Sequence, residues 1–128
     1  MKAVRFIPAI AWFVISAVLF CLPGSLIPSQ SWFYEHIPQM DKIVHVTIFT
    51  LLGITLAYPV KKSSVSHRNR VKWFLFVAIM GILYGTAVEF VQRAWIANRS
   101  FDVYDIAADT IGCLLAFIFN MIAFTERA

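Results

Sequence analysis

Gly85-Thr86-Ala87-Val88-Glu89-Phe90-Val91-Gln92-Arg93 sets a carboxylate and an amide one helical turn apart, near the end of an otherwise apolar segment. An ionisable residue inside a membrane span is costly, and by default it marks a functional site. The segment reaches back to about Trp73. It contains Gly81-x-x-x-Gly85 with Ala78 on the same face, a spacing that lets helix backbones approach closely and marks a packing surface.

The rest of the 128 residues support a membrane assignment. Hydrophobic residues make up 60% and charged residues 14%, more apolar than a soluble domain of this size allows. The apolar residues fall in long runs, which predict one all-α membrane domain over 1–128, a compact four-helix bundle with spans at about 5–22, 41–60, 73–93 and 101–124. The first run follows Lys2 and Arg5 like a signal peptide. It is long and no A-x-A site follows it, so it reads as a permanent span ended by Pro23-Gly24. Pro59 and Lys61-Lys62 close the second span. Cys21 and Cys113 lie inside apolar runs without metal-type spacing and read as buried structural thiols.

Net charge of +4 does not indicate nucleic-acid binding, because the basic residues cluster in short loops. With both termini cytoplasmic, Lys2, Arg5, Lys61, Lys62, Arg68, Arg70, Lys72 and Arg127 lie inside, and Lys42, Arg93 and Arg99 outside. That asymmetry satisfies the positive-inside rule. The 25–39 loop, with Trp32, Phe33 and Tyr34, reads as an interfacial aromatic belt, or as a lid over a site.

This topology brings three polar sets to one side. Span two starts there with Asp41, Lys42 and His45, span three ends there with Glu89 and Gln92, and span four starts there with Asp102, Asp105 and Asp109. At 1.5 Å per residue, His45 is about 6 Å beyond Asp41 and Asp109 about 10 Å beyond Asp102, so His, Glu and Asp reach similar depth. Capping accounts for Asp41 and Asp102, and the helix dipole suits Asp105. Arg93 and Arg99 snorkel to the interface. Glu89 opposes the dipole at its helix end, and Asp109 is too deep for a cap. The structural alternative for these two is an ion pair with Arg99 or Lys42.

Three chemistries fit the cluster. Glu89 and His45 suit general acid–base catalysis. Glu89, Asp105, Asp109 and His45 suit a divalent cation. Hydrogen bonds from the cluster, with Arg93 or Arg99 meeting a phosphate, suit a polar headgroup. There is no G-x-S-x-G, H-E-x-x-H or P-loop.

Asp41-Lys42-x-x-His45, Glu89-x-x-Gln92 and Arg99-Ser100-Phe101-Asp102-x-x-Asp105-x-x-x-Asp109-x-x-Gly112, in this order, resemble the signature of VanZ-like membrane proteins across nearly the whole chain. The chain departs from it at Asp109, where that pattern usually has Asn. The resemblance implies a compact helical bundle in a bacterial cytoplasmic membrane and, from the family's namesake, low-level teicoplanin tolerance.

The expectation is therefore a pocket at the outer leaflet that binds or modifies a polar-headed membrane lipid or lipid-linked cell-wall precursor. Glu89 and His45 are the candidate acid and base; Asp41, Lys42, Gln92, Arg99, Asp102, Asp105 and Asp109 are candidate ligand-binding residues. The alternative is a non-catalytic protein acting through partners or lipid packing, with the Gly81/Gly85 face and the basic loop as its surfaces. Ion conduction fits less well, since the cytoplasmic halves of the spans offer Asn120 as their one strongly polar group.

Overall fold

The computed structural model describes residues 3–21, 40–61, 63–96 and 103–124, with the side chains of 40 and 41 outside that set. One 3-10 turn, Ala3–Phe6, leads into α1, Ile7–Phe20; then come α2, Met40–Lys61, α3, His67–Trp95, and α4, Val103–Ala123. Among the described residues four helical stretches, Ala3–Phe20, Lys42–Lys61, His67–Trp95 and Val103–Ala123, are long and apolar enough to cross a membrane. The chain is a multi-pass membrane protein, with four such spans among its described residues.

One helix differs from its expected span by more than a turn. α3 begins at His67 rather than Trp73, because Ser66 is extended and its hydroxyl accepts from the Asn69 N–H at 3.4 Å. At about 1.5 Å per residue its 29 residues exceed a hydrocarbon core of about 30 Å, so α3 is longer than the core it crosses. Pro59 lies inside α2 rather than ending it. The Pro23-Gly24 stop and the 25–39 belt or lid fall outside the described residues.

Small residues decide how closely the helices pack. A Cβ on Gly112 would meet the Val46 carbonyl at 2.7 Å and Phe49 Cβ at 2.9 Å; one on Gly53 would meet Ala116 Cβ at 2.5 Å. α2 and α4 therefore approach at backbone distance, as small-residue faces permit. Polar groups bridge the seam: Thr50 Oγ1, which donates within α2 to the Val46 carbonyl at 2.7 Å, also reaches the Gly112 carbonyl at 3.3 Å, and Asn120 Nδ2 donates to the Gly53 carbonyl at 3.3 Å. Gly81 and Gly85 face Cys113 and Asp109 on α4. That face is buried within this chain, which corrects its expected use as a surface for another protein.

α1 lies at the periphery and buries one stripe, Ala9, Ser16 and Phe20. It is held by Trp12 Nε1 donating to the Ile48 carbonyl at 2.9 Å, by Ser16 Oγ 3.1 Å from the Tyr84 hydroxyl, and by Gln92 Nε2 donating to the Phe20 carbonyl at 2.9 Å. Phe20 joins Ile48, Phe49, Val88 and Cys113 in one apolar core; Ala57, Val60, Phe74 and Phe124 form a second nearer the opposite end. Cys113 is buried, but Cys21 is exposed beyond the last turn of α1, which corrects the expectation of two buried thiols.

Arg70 is a further correction. Charge counting assigns it to a solvated loop, yet it is 2% exposed. Its guanidinium donates to the carbonyls of Val65 at 3.0 Å, Phe124 at 2.8 Å and Ser63 at 2.7 Å. It ties the α2–α3 connection to the end of α4, where helix carbonyls lack intrahelical partners. Hydrogen bonds to charged groups are worth about 1.5–3 kcal/mol. Arg70→Gln is expected to lower stability by about 2 kcal/mol, read from the unfolding midpoint in detergent, while Arg68→Gln, at an exposed position, changes it little.

Candidate functional site

The contacts fix which helix ends meet. Lys42 pairs with Asp105, and Trp73 Nε1 donates to the Leu56 carbonyl, so α2 runs antiparallel to α3 and α4 begins beside the start of α2. His45 lies about 8 Å from the start of α2, Glu89 about 9 Å from the end of α3 and Asp109 about 9 Å from the start of α4. The common depth expected from the sequence is realised.

At that depth His45, Glu89 and Asp109 converge. One donor atom from each lies within 4.8 Å of the others, and the residues are 6%, 0% and 1% exposed. At such burial an ionised group must be paired, hydrogen-bonded or metal-bound. His45 Nδ1 is 2.6 Å from Asp109 Oδ1, and its Nε2 is 3.7 Å from Asp105 Oδ2. Lys42 Nζ donates to Asp105 Oδ1 at 2.6 Å. The imidazole is thus bracketed by two carboxylates, one of them anchored by a lysine. A neutral imidazole has one N–H. That N–H suffices for the short contact with Asp109; Asp105 is near Nε2 but beyond hydrogen-bond reach.

Asp109 lies at the centre of the cluster, although it is the position where the chain departs from the VanZ-like pattern. Its Oδ2 has no hydrogen-bond partner among the described residues. It rests over Gly85, where a Cβ would meet that oxygen at 2.6 Å. Gly85 is therefore the floor of the site. It is one turn before Glu89 on the same face, so its spacing was available in the sequence as a signal.

The other expected residues divide. Lys42 and Asp105 join the cluster through their ion pair, the partner expected for Glu89 or Asp109. Gln92 is buried on the same face of α3 and spends its amide N–H on the Phe20 carbonyl, so it positions α1. Asp41 is the second residue of α2 as described rather than a residue before it, and its side chain lies outside the described set. Arg99 and Asp102 lie outside the described residues. Phe20, which no sequence signal singled out, covers the cluster, its ring centroid 5.2 Å from that of His45. Beside it a cavity of about 180 Å³ opens between α1 and α3, lined by Ala17, Phe20, Tyr84, Ala87, Val91 and Gln92 among others.

A model of the VanZ/LLP1 family matches residues 5–124. An uncharacterized protein of Schizosaccharomyces pombe is 31% identical over 91 residues, which is 71% of this chain. The chain spans about half the length of that relative, 52%. No solved structure matches the chain.

Proposed function

The chain belongs to the VanZ/LLP1 family, and on that premise we propose that it holds a polar-headed membrane lipid. The tail lies in the cavity between α1 and α3, and the headgroup meets His45, Glu89, Asp105 and Asp109. The observation that carries this reading is the shared wall. Phe20 and Gln92 line the apolar cavity, Phe20 also packs on His45, and Gln92 is one turn from Glu89. At about 180 Å³ the space far exceeds the share of one water, about 30 Å³. It lies along a span, so the medium that fills it is hydrocarbon.

The positive-inside rule orients the bundle. The end with Lys61, Arg68 and Lys72 faces the cytoplasm, and the cluster faces the outer leaflet of a bacterial cytoplasmic membrane. Lipid-linked wall precursors and lipoglycopeptides meet there, which connects the site to teicoplanin tolerance. A relative in a fission yeast favours a lipid common to many membranes over a wall precursor alone. If the bound lipid is modified, Glu89 and His45 act as acid and base. The reading through partner proteins is weakened by burial of Gly81 and Gly85 inside the chain.

Two variants test the reading. Ala87→Trp fills the cavity from an exposed position of α3, and Glu89→Gln removes the charge from the cluster. Wild type is expected to retain a defined lipid class through detergent purification, measured by mass spectrometry, and Ala87→Trp to lose it. Cells with matched expression are expected to show teicoplanin tolerance over vancomycin with wild type and none with either variant. Equal lipid retention by wild type and Ala87→Trp would remove the cavity from the account.

A further inference from the structure

We propose that His45, Glu89 and Asp109 form a binding site for a divalent transition cation, with Zn²⁺ as the best match to one imidazole and two carboxylates. The donor set is buried and comes from three different helices, so it exists only in the folded bundle. Zinc takes nitrogen at about 2.0–2.1 Å and carboxylate oxygen at about 2.0–2.2 Å. Around such an ion the donors sit roughly 3.4 Å apart in a tetrahedron. The observed donors lie within 4.8 Å of one another, and an ion would draw them in while parting His45 Nδ1 and Asp109 Oδ1, now 2.6 Å apart.

One feature points to a ligand rather than to a packed ion pair. Asp109 Oδ2 is buried without a hydrogen-bond partner among the described residues, although its sister oxygen is 2.6 Å from His45. Gly85 lets α3 pack directly against that carboxylate, since a Cβ there would meet Oδ2 at 2.6 Å. The surroundings also place a carboxylate near the far nitrogen of His45, where metal-bound histidines usually have one. Asp105 faces His45 Nε2 at 3.7 Å and is itself fixed by Lys42 at 2.6 Å. At that distance, beyond a hydrogen bond, its charge still favours the tautomer with the proton on Nε2, which leaves Nδ1 for a metal. Cys113 lies against Gly81, one turn away from Gly85, so a thiolate takes no part.

A cation there also bears on the lipid reading. Three carboxylates repel a phosphate headgroup, and an ion among them attracts one; that extension rests on the proposed lipid site, whereas the ion site does not.

The test uses full-length, tag-free protein in detergent, supplied with Zn²⁺, desalted and assayed for metal by mass spectrometry. About one Zn²⁺ per chain is expected in wild type, with its affinity reduced more than about tenfold in Glu89→Gln and Asp109→Asn. Asp105→Asn is expected to weaken binding about tenfold by removing the charge near His45 Nε2. All three substitutions preserve shape, and size-exclusion profiles identify any that misfold. X-ray absorption of the loaded wild type is expected to show nitrogen and oxygen neighbours including one imidazole. Folded wild type that retains no Zn²⁺ and gains no thermal stability from it would overturn the site. So would equal binding by Glu89→Gln and Asp109→Asn, or sulfur in the absorption spectrum. None of these readouts depends on a lipid.

Discussion

Asp109→Leu is expected to destabilise the bundle by about 3–5 kcal/mol, the usual cost of removing one member of a buried ion pair. Asp109 is 1% exposed, and its Oδ1 is 2.6 Å from His45 Nδ1. With the carboxylate gone, that nitrogen faces leucine in a low-dielectric interior, and the other is 3.7 Å from Asp105, beyond hydrogen-bond reach. His45→Leu is expected to cost a similar amount, because it strands Asp109 in turn. The double variant is expected to recover most of the loss, since two apolar side chains of similar volume leave nothing unpaired. Unfolding in SDS followed by circular dichroism measures all three. Costs that simply add would mean that the two residues do not act as a pair. The double variant also separates stability from function. It is expected to fold and yet to lose both Zn²⁺ binding and teicoplanin tolerance, a result that a purely structural histidine–aspartate pair would not give.

Depth in the bundle was legible in the sequence because it depends on counting. Once spans and their directions are set, each residue's height follows from the rise per residue. His45, Glu89 and Asp109 therefore appear together in the sequence reading and again in the fold. Facing was legible only in part. Hydrophobic periodicity is weak in helices whose outer faces meet lipid and whose inner faces meet each other. The readable marks are the small residues, and Gly85, Gly112 and Ala116 all point inward. Arg70 was not legible: the positive-inside rule counts charges over a loop and does not ask what each one touches. Neither was Phe20, because one aromatic among many in a first span carries no mark of the carbonyl that Gln92 will hold. Cys21 and Cys113 look alike in sequence. They differ in the structure because only Cys113 falls on the small-residue stripe of α4, four residues past Asp109.

Gly85→Ala is expected to cost about 3–5 kcal/mol, far more than Gly81→Ala, although both glycines belong to one G-x-x-x-G face of α3. A Cβ on Gly85 would meet Asp109 Oδ2 at 2.6 Å, Cβ at 2.8 Å and Cγ at 3.0 Å. The Asp109 Cβ is fixed to the α4 backbone, so no rotation of the carboxylate alone relieves the clash. α4 must shift, and the 2.6 Å contact with His45 shifts with it. A Cβ on Gly81 would meet only Cys113 Sγ at 2.6 Å, with Cys113 Cβ at an ordinary 3.9 Å. The sulfur can rotate, and Cys113→Ala deletes it. Gly81→Ala is therefore expected to cost about 1–2 kcal/mol alone, within the usual range for overpacking, and much less beside Cys113→Ala. Asp109→Ala is not expected to rescue Gly85→Ala, because the obstructing Cβ remains and His45 has lost its partner. Unfolding midpoints of the four single variants and two pairs decide the matter. Equal costs at the two glycines would mean that α3 and α4 move apart as rigid bodies, and that Gly85 does not act as the floor of the site. Unequal costs, with rescue at Gly81 alone, would locate the constraint at the Asp109 carboxylate.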